Sequence, residues 1–185
     1  MSAATRTGTH GGVERLRTLL QAEGGLIATL VGSGASKEEE RPPSPAILAA
    51  DGPRAAGRRE EYELLVEAIY EGYLLHYGTP RVVRVPEADL RLLAGDQLYA
   101  IGLARLVALG DTLAVAELAD TITLSALAQG AGSGELAEAV WTAGARAVGW
   151  GPSEEHRLAK QLVCEGSSSA LEAMRTSATA VPASP

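Results

Sequence analysis

At 185 residues the chain is long enough to bury a core of its own as one domain. A formal net charge of -7 and a pI near 5.0 argue against a general phosphate-backbone binder, which needs clustered Lys and Arg to displace counterions. The single cysteine, Cys164, excludes an internal disulfide framework, and without a Cys-x-x-Cys or a His cluster zinc lacks its usual ligands.

Residues 1–12 are small and polar and read as a flexible N-terminus, with no apolar signal core and no run of about 20 apolar residues to span a bilayer. A cytoplasmic protein is the expectation. An amphipathic helix follows over residues 13–23, using Val13, Leu16, Leu19 and Leu20. The apolar run 26–31, bracketed by Gly24, Gly25, Gly32 and Gly34, is ambiguous between a helical turn and a strand. Residues 32–57 are Gly/Ser/Pro- and charge-rich and read as a flexible loop. The Gly-Ser-Gly-Ala-Ser at 32–36 lacks the Gly-Lys-Ser/Thr ending of a phosphate loop.

The clearest amphipathic helix spans residues 58–77. At about 100° per residue it places Tyr62, Leu65, Val66, Ile69, Tyr70, Tyr73, His76 and Tyr77 on one face, and Glu60, Glu63, Glu67 and Glu71 on the other. The aromatic face is expected in a core, with hydroxyls at its boundary, and the glutamate stripe in water. Gly78 and Pro80 end this helix, and Pro86 suits the start of the next.

Residues 90–109, LRLLAGDQLYAIGLARLVAL, are apolar on nearly every side, and residues 112–129 repeat that property with Glu117 and Asp120 as their only charges. Helices without a polar face are buried, either centrally in their own domain or under a partner chain. Asp96 after Gly95 and Asp111 after Gly110 read as helix caps, and Asp120 as a further cap or buried polar group. Helices over 135–148 and from a Ser153 cap complete the domain, with Cys164 expected as a small buried hydrophobe. Residues 167–185 read as a flexible tail with at most one turn around 171–174. The expected architecture is all-α: a bundle of about five to six helices, with two very apolar central ones, in a single domain over residues 13–166.

Common catalytic constellations are missing. No Gly-x-Ser-x-Gly elbow occurs, none of His10, His76 and His156 sits in a triad context, and no two adjacent aspartates offer a magnesium motif. No catalytic residue, metal or cofactor is assigned, and the reading leans away from an enzyme.

Residues 92–122, LLAGDQLYAIGLARLVALGDTLAVAELADTI, resemble the region of trans-polyprenyl diphosphate synthases in which Leu-Ala-Gly-Asp opens a long apolar helix followed by a turn and a second helix. The likeness is strongest to the non-catalytic small subunit of two-component heptaprenyl diphosphate synthases. It implies a truncated isoprenoid-synthase-like fold whose central helices form a subunit interface. The aspartate-rich motifs of catalytic members are absent, and Gln97 stands where the family often has an aromatic residue.

The preferred reading is therefore an accessory helical subunit that forms a homo-oligomer or pairs with a catalytic synthase-like chain. Its interface candidates are Tyr99, Leu103, Leu106, Val107, Val115 and Ile122. The alternatives are a structural scaffold, or a stand-alone protein holding an isoprenoid or lipid-like ligand. Tyr70, Tyr73 and His76 would line the mouth of that pocket, and Leu98, Ile101 and Leu118 its wall. An enzyme with a site around Asp96, Asp120 and His76 is the third alternative.

Overall fold

The computed structural model describes residues 10–32 and 44–180. Among these residues the chain is all-α. In order, the helices are α1 (His10–Glu23), α2 (Gly25–Thr29), α3 (Pro45–Ala50), α4 (Arg59–Tyr77), α5 (Ala88–Ala108), α6 (Thr112–Gly130), α7 (Gly134–Trp150), α8 (Glu154–Cys164) and α9 (Ala170–Ser177). A single 3-10 turn, Pro53–Ala55, lies between α3 and α4. The described residues exceed the expected five to six helices by three short ones, α2, α3 and α9. No helix among them is long and apolar enough to cross a membrane. Most of residues 32–36 and the charged run up to Pro43 lie outside the described residues; the rest of the expected loop over 32–57 contains α3 and the 3-10 turn.

Two compact units divide the chain: residues 1–47 with 60–105, and residues 48–59 with 106–185. In the first, Leu16, Leu20, Ile27, Leu75, Val82, Val83 and Leu98 form the core. The ambiguous run 26–31 resolves into α2 followed by an extended end. Val31 bridges Val83, with Gly32 N–H donating to the Val82 carbonyl at 2.9 Å and Arg84 N–H to that of Leu30 at 2.8 Å. Around α4 burial is nearly complete. Tyr62, Leu65, Val66, Ile69 and Tyr73 are buried as expected, but so are Glu63 (2% exposed), Glu67 (2%) and Glu71 (0%), which corrects the solvated-stripe reading.

α5 packs on α4 through glycines. A Cβ at Gly95 would stand 2.6 Å from the His76 ring and 3.1 Å from the Gly72 carbonyl oxygen, and one at Gly102 would stand 2.4 Å from Ile69. Gly95 is therefore a close-packing position in mid-helix. α5 begins seven residues before it, so Asp96 is not a helix cap; its side chain is largely exposed.

In the second unit α7 is the enclosed helix, with Ala137, Val140, Trp141, Ala143, Ala145, Ala147 and Val148 all buried. Its small residues admit close neighbours: a Cβ at Gly144 would collide with Thr121 of α6, and one at Gly149 with the Ala49 carbonyl. Asp111 caps α6 as expected, accepting from Ala114 N–H at 3.0 Å, and its two carboxylate oxygens also receive Arg54 at 2.7 and 2.8 Å. Ser153 caps α8, accepting from His156 N–H at 3.1 Å. The expected flexible tail is helical over Ala170–Ser177, because Ala170 and Met174 join Leu124, Val140, Ala159 and Val163 in an apolar cluster. Cys164 is exposed, since it lies on the outer side of α8.

Candidate functional site

The candidate residues of the first unit gather along α4 and α5. Tyr70 is half-buried and stacks on Tyr73 at 5.9 Å between centroids, with the Arg81 guanidinium 5.1 Å from the Tyr70 ring centre. His76 stacks on Tyr99 at 5.4 Å, with ring planes only 5° apart, and its Nε2 lies 3.1 Å from Asp96 Oδ1. Burial pushes the Tyr99 phenol far above its usual range, helped by Tyr77, Asp96 and Tyr73. These rings are spent on one another. Leu98 is 0% exposed, and Ile101 packs half-buried beside it in the same core.

Beneath this aromatic row runs a buried charge network that sequence reasoning missed. Glu63 Oε2 receives Arg15 at 2.7 Å; Glu67 pairs with Arg81 and accepts from Ser44 Oγ at 2.6 Å. Glu71 accepts three consecutive backbone amides, from Arg81, Val82 and Val83, at 2.8, 2.7 and 3.1 Å. Burial pushes the Glu67 carboxyl up; Arg81 and Ser44 oppose that, while Glu71 and Glu63 reinforce it. With each carboxylate engaged by cations or amides of its own chain, the network fixes the strand-like turn at 81–83.

Part of the exposed surface of α5 is apolar. The buried side of α5 carries Ala94, Gly95, Leu98 and Gly102, the opposite side exposes Leu93 (64%), Ala100 and Ala104, and Leu92 (46%) is exposed about 100° round the helix from Leu93. Winding at about 100° per residue brings Leu93, Ala100 and Ala104 onto one face, with Gln97 at its edge and Asp96 flanking it. Leu103 is half-buried.

In the second unit Val107 (58%), Leu113 (36%) and Leu127 (50%) are exposed, Val115 and Ile122 are half-buried, and Leu106 and Leu118 are 0% exposed. Leu106 is thus enclosed by its own chain and presents no surface to a partner, and Leu118 no wall to a ligand. Asp120 is exposed and paired with Lys160 at 2.7 Å, and so is neither cap nor buried group. A groove of about 630 Å³ runs between α6 and α8, lined by Asp120, Thr123, Leu124, Lys160 and Cys164 among others.

The same unit assembles a second polar cluster that nothing in the sequence signals, since its contacts join residues 21 to 43 positions apart. His156 Nε2 stands 3.1 Å from Glu117 Oε2, His156 Nδ1 3.4 Å from Ser177 Oγ, and Lys160 Nζ 3.0 Å from Glu117. The serine–histidine–carboxylate order is that of a hydrolase relay, but His156 and Ser177 are each 3% exposed and the serine hydroxyl donates to the Met174 carbonyl at 2.9 Å. The cluster ties α6, α8 and α9 together and shows no face to a substrate.

Burial alone pushes the Glu117 carboxyl up, but hydrogen bonds and charge from His156 and Lys160 outweigh it and hold it below the ordinary 4.5. Burial pulls the Lys160 ammonium down, and Asp120 and Glu117 together raise it above the ordinary 10.5. The two contributions are therefore present together between those values. Glu117's is lost as pH falls through its depressed folded value, and Lys160's as pH rises through its elevated one. Urea midpoints of the wild type are expected to drop at both extremes, with a shallower acid limb for Glu117→Gln; superimposable acid limbs would remove Glu117 from the account.

Among the described residues no three His, Cys, Asp or Glu side chains are placed to hold a metal ion. Comparisons with family models, with curated proteins and with solved structures give no match for this chain.

Proposed function

We propose that the protein is a non-catalytic helical subunit whose exposed apolar surface takes a second helical chain. The observation that carries this reading is the outer face of α5 in the first unit, where Leu93, Ala100 and Ala104 stand exposed in line and Leu92 is exposed to one side of them. Single exposed leucines are ordinary, but Leu93 continued by two alanines along one helix face, with Leu92 exposed beside it, supports a contact surface. The alanines let a partner helix approach to about 8–10 Å between axes. In the second unit, exposed Val107, Leu113 and Leu127 offer further apolar contact.

The partner is a second copy of this chain or a catalytic prenyl diphosphate synthase-like subunit. The latter rests on the resemblance over residues 92–122 and on the missing aspartate pairs, which leave the metal-binding step to another chain. Light scattering on a size-exclusion column, together with co-purification from the native host, tests the reading. A dimer, or a co-purifying chain with paired aspartates, is the expected result. Leu93→Glu is expected to weaken that association about tenfold or more, since it sets a charge into the apolar contact. A strictly monomeric protein at micromolar concentration that also brings no partner overturns it.

A further inference from the structure

The second unit carries an arrangement independent of that outer surface. His156, in the first turn of α8, reaches two other helices: Nε2 faces Glu117 of α6 at 3.1 Å and Nδ1 faces Ser177 of α9 at 3.4 Å. A carboxylate only accepts, so Nε2 carries a proton. Ser177 has one hydroxyl proton and two acceptors within reach, the Met174 carbonyl at 2.9 Å and, when that nitrogen carries no proton, Nδ1 at 3.4 Å. When Nδ1 carries a proton as well, it donates to the Ser177 oxygen, and the hydroxyl keeps the Met174 carbonyl. A charged ring is favoured by the carbonyls of the last turn of α9 and opposed by the amide end of α8, in whose first turn it sits.

We propose that His156 is a proton-gated latch for the C-terminal turn of α9. Losing the Nδ1 proton leaves Nε2–H on Glu117 and turns Nδ1 into an acceptor. The Ser177 hydroxyl then leaves the Met174 carbonyl and donates to the ring, and that carbonyl loses one of two donors from the end of α9. The other is the Ala178 N–H, which donates to the same carbonyl at 3.1 Å. The charged groups around the ring are of both signs. From α6 come Glu117 and, one step further, Asp120; from α8 comes Lys160, which bonds both carboxylates; and from α7 comes Arg146, lining the same cleft with Ser153. Glu117 thus anchors Nε2 in either state, and the change falls on the Ser177 side.

Nitrogen-15 spectra of the His156 ring and amide exchange at Ala178 and Thr179, recorded on the full chain across about pH 5 to 8, test this. Both ring nitrogens are expected protonated at the acid end, with Nδ1 the one that loses its proton. Exchange at Ala178 and Thr179 is expected to speed up about fivefold beyond the intrinsic effect of pH, the equivalent of one hydrogen bond of about 1 kcal/mol. Ser177→Ala and His156→Gln should each abolish that excess. Should His156→Gln fail to fold, Ser177→Ala still decides, because it keeps the apolar contacts of Ala170 and Met174. Loss of the Nε2 proton first, exchange that follows intrinsic chemistry throughout, or an excess that survives in Ser177→Ala overturns the proposal.

Discussion

Glu71→Ala is expected to destabilise the first unit by about 3–5 kcal/mol, the cost of removing one member of a buried, hydrogen-bonded charge set. The Glu71 carboxylate is fully enclosed and accepts the amides of Arg81, Val82 and Val83. Without it three neighbouring N–H groups lose their acceptor in the interior, and Arg81 loses a carboxylate 3.5 Å from its Nε. Glu71→Gln keeps an amide oxygen for some of these donors and is expected to lose less. Chemical unfolding with an unchanged m-value measures the difference. A loss below about 1 kcal/mol for the alanine variant, the worth of one ordinary hydrogen bond, would show that the 81–83 turn holds without its carboxylate.

The second large effect concerns Gly95, where the sign is the test. An exposed mid-helix glycine gains about 1 kcal/mol on replacement by alanine, because the backbone loses less entropy on folding. At Gly95 the added methyl meets the His76 ring at 2.6 Å and the Gly72 carbonyl at 3.1 Å. Gly95→Ala is therefore expected to cost about 1–3 kcal/mol of overpacking, disturbing the His76–Asp96 and His76–Tyr99 contacts that sit on this crossing. Gly130→Ala, at the end of α6 with nothing within 4 Å of the added carbon, serves as the control and is expected to be neutral or stabilising. A stabilised Gly95→Ala would mean that α4 and α5 do not approach as closely as Gly72 and Gly95 allow.

The misreading of α4 shows where sequence patterning stops. Its glutamates repeat every three or four residues opposite an aromatic face, the pattern of a solvated stripe. Yet Leu64, Ala68 and Leu75 are also apolar, so the polar arc is only about 80° wide at 100° per residue. That narrowness was the available signal that the helix is enclosed and carries its charges inward. The complementary arginines were not legible, because Arg15 lies 48 residues from Glu63 and the amides that hold Glu71 belong to a turn ten to twelve residues on. In α5 the pattern left two outcomes open, burial in its own domain or under a partner chain. The helix is as apolar as expected, but an apolar surface does not reveal how much of it the chain covers, and the side bearing Leu93 stays open.

By itself the sequence determined what local chemistry controls. Helix identity follows from hydrophobic periodicity, and the starts of α6 and α8 from Asp111 and Ser153, whose side chains bond amides three residues on. Tertiary structure alone decided which helices are enclosed, α4 and α7 in their respective units, and what Gly95 is for. It also made α9 a packed helix and brought Glu117, His156 and Ser177 together. The physical reason is the same in each case. Periodicity and capping act over one or two turns, whereas burial and charge pairing depend on residues tens of positions away that only the folded chain brings into contact.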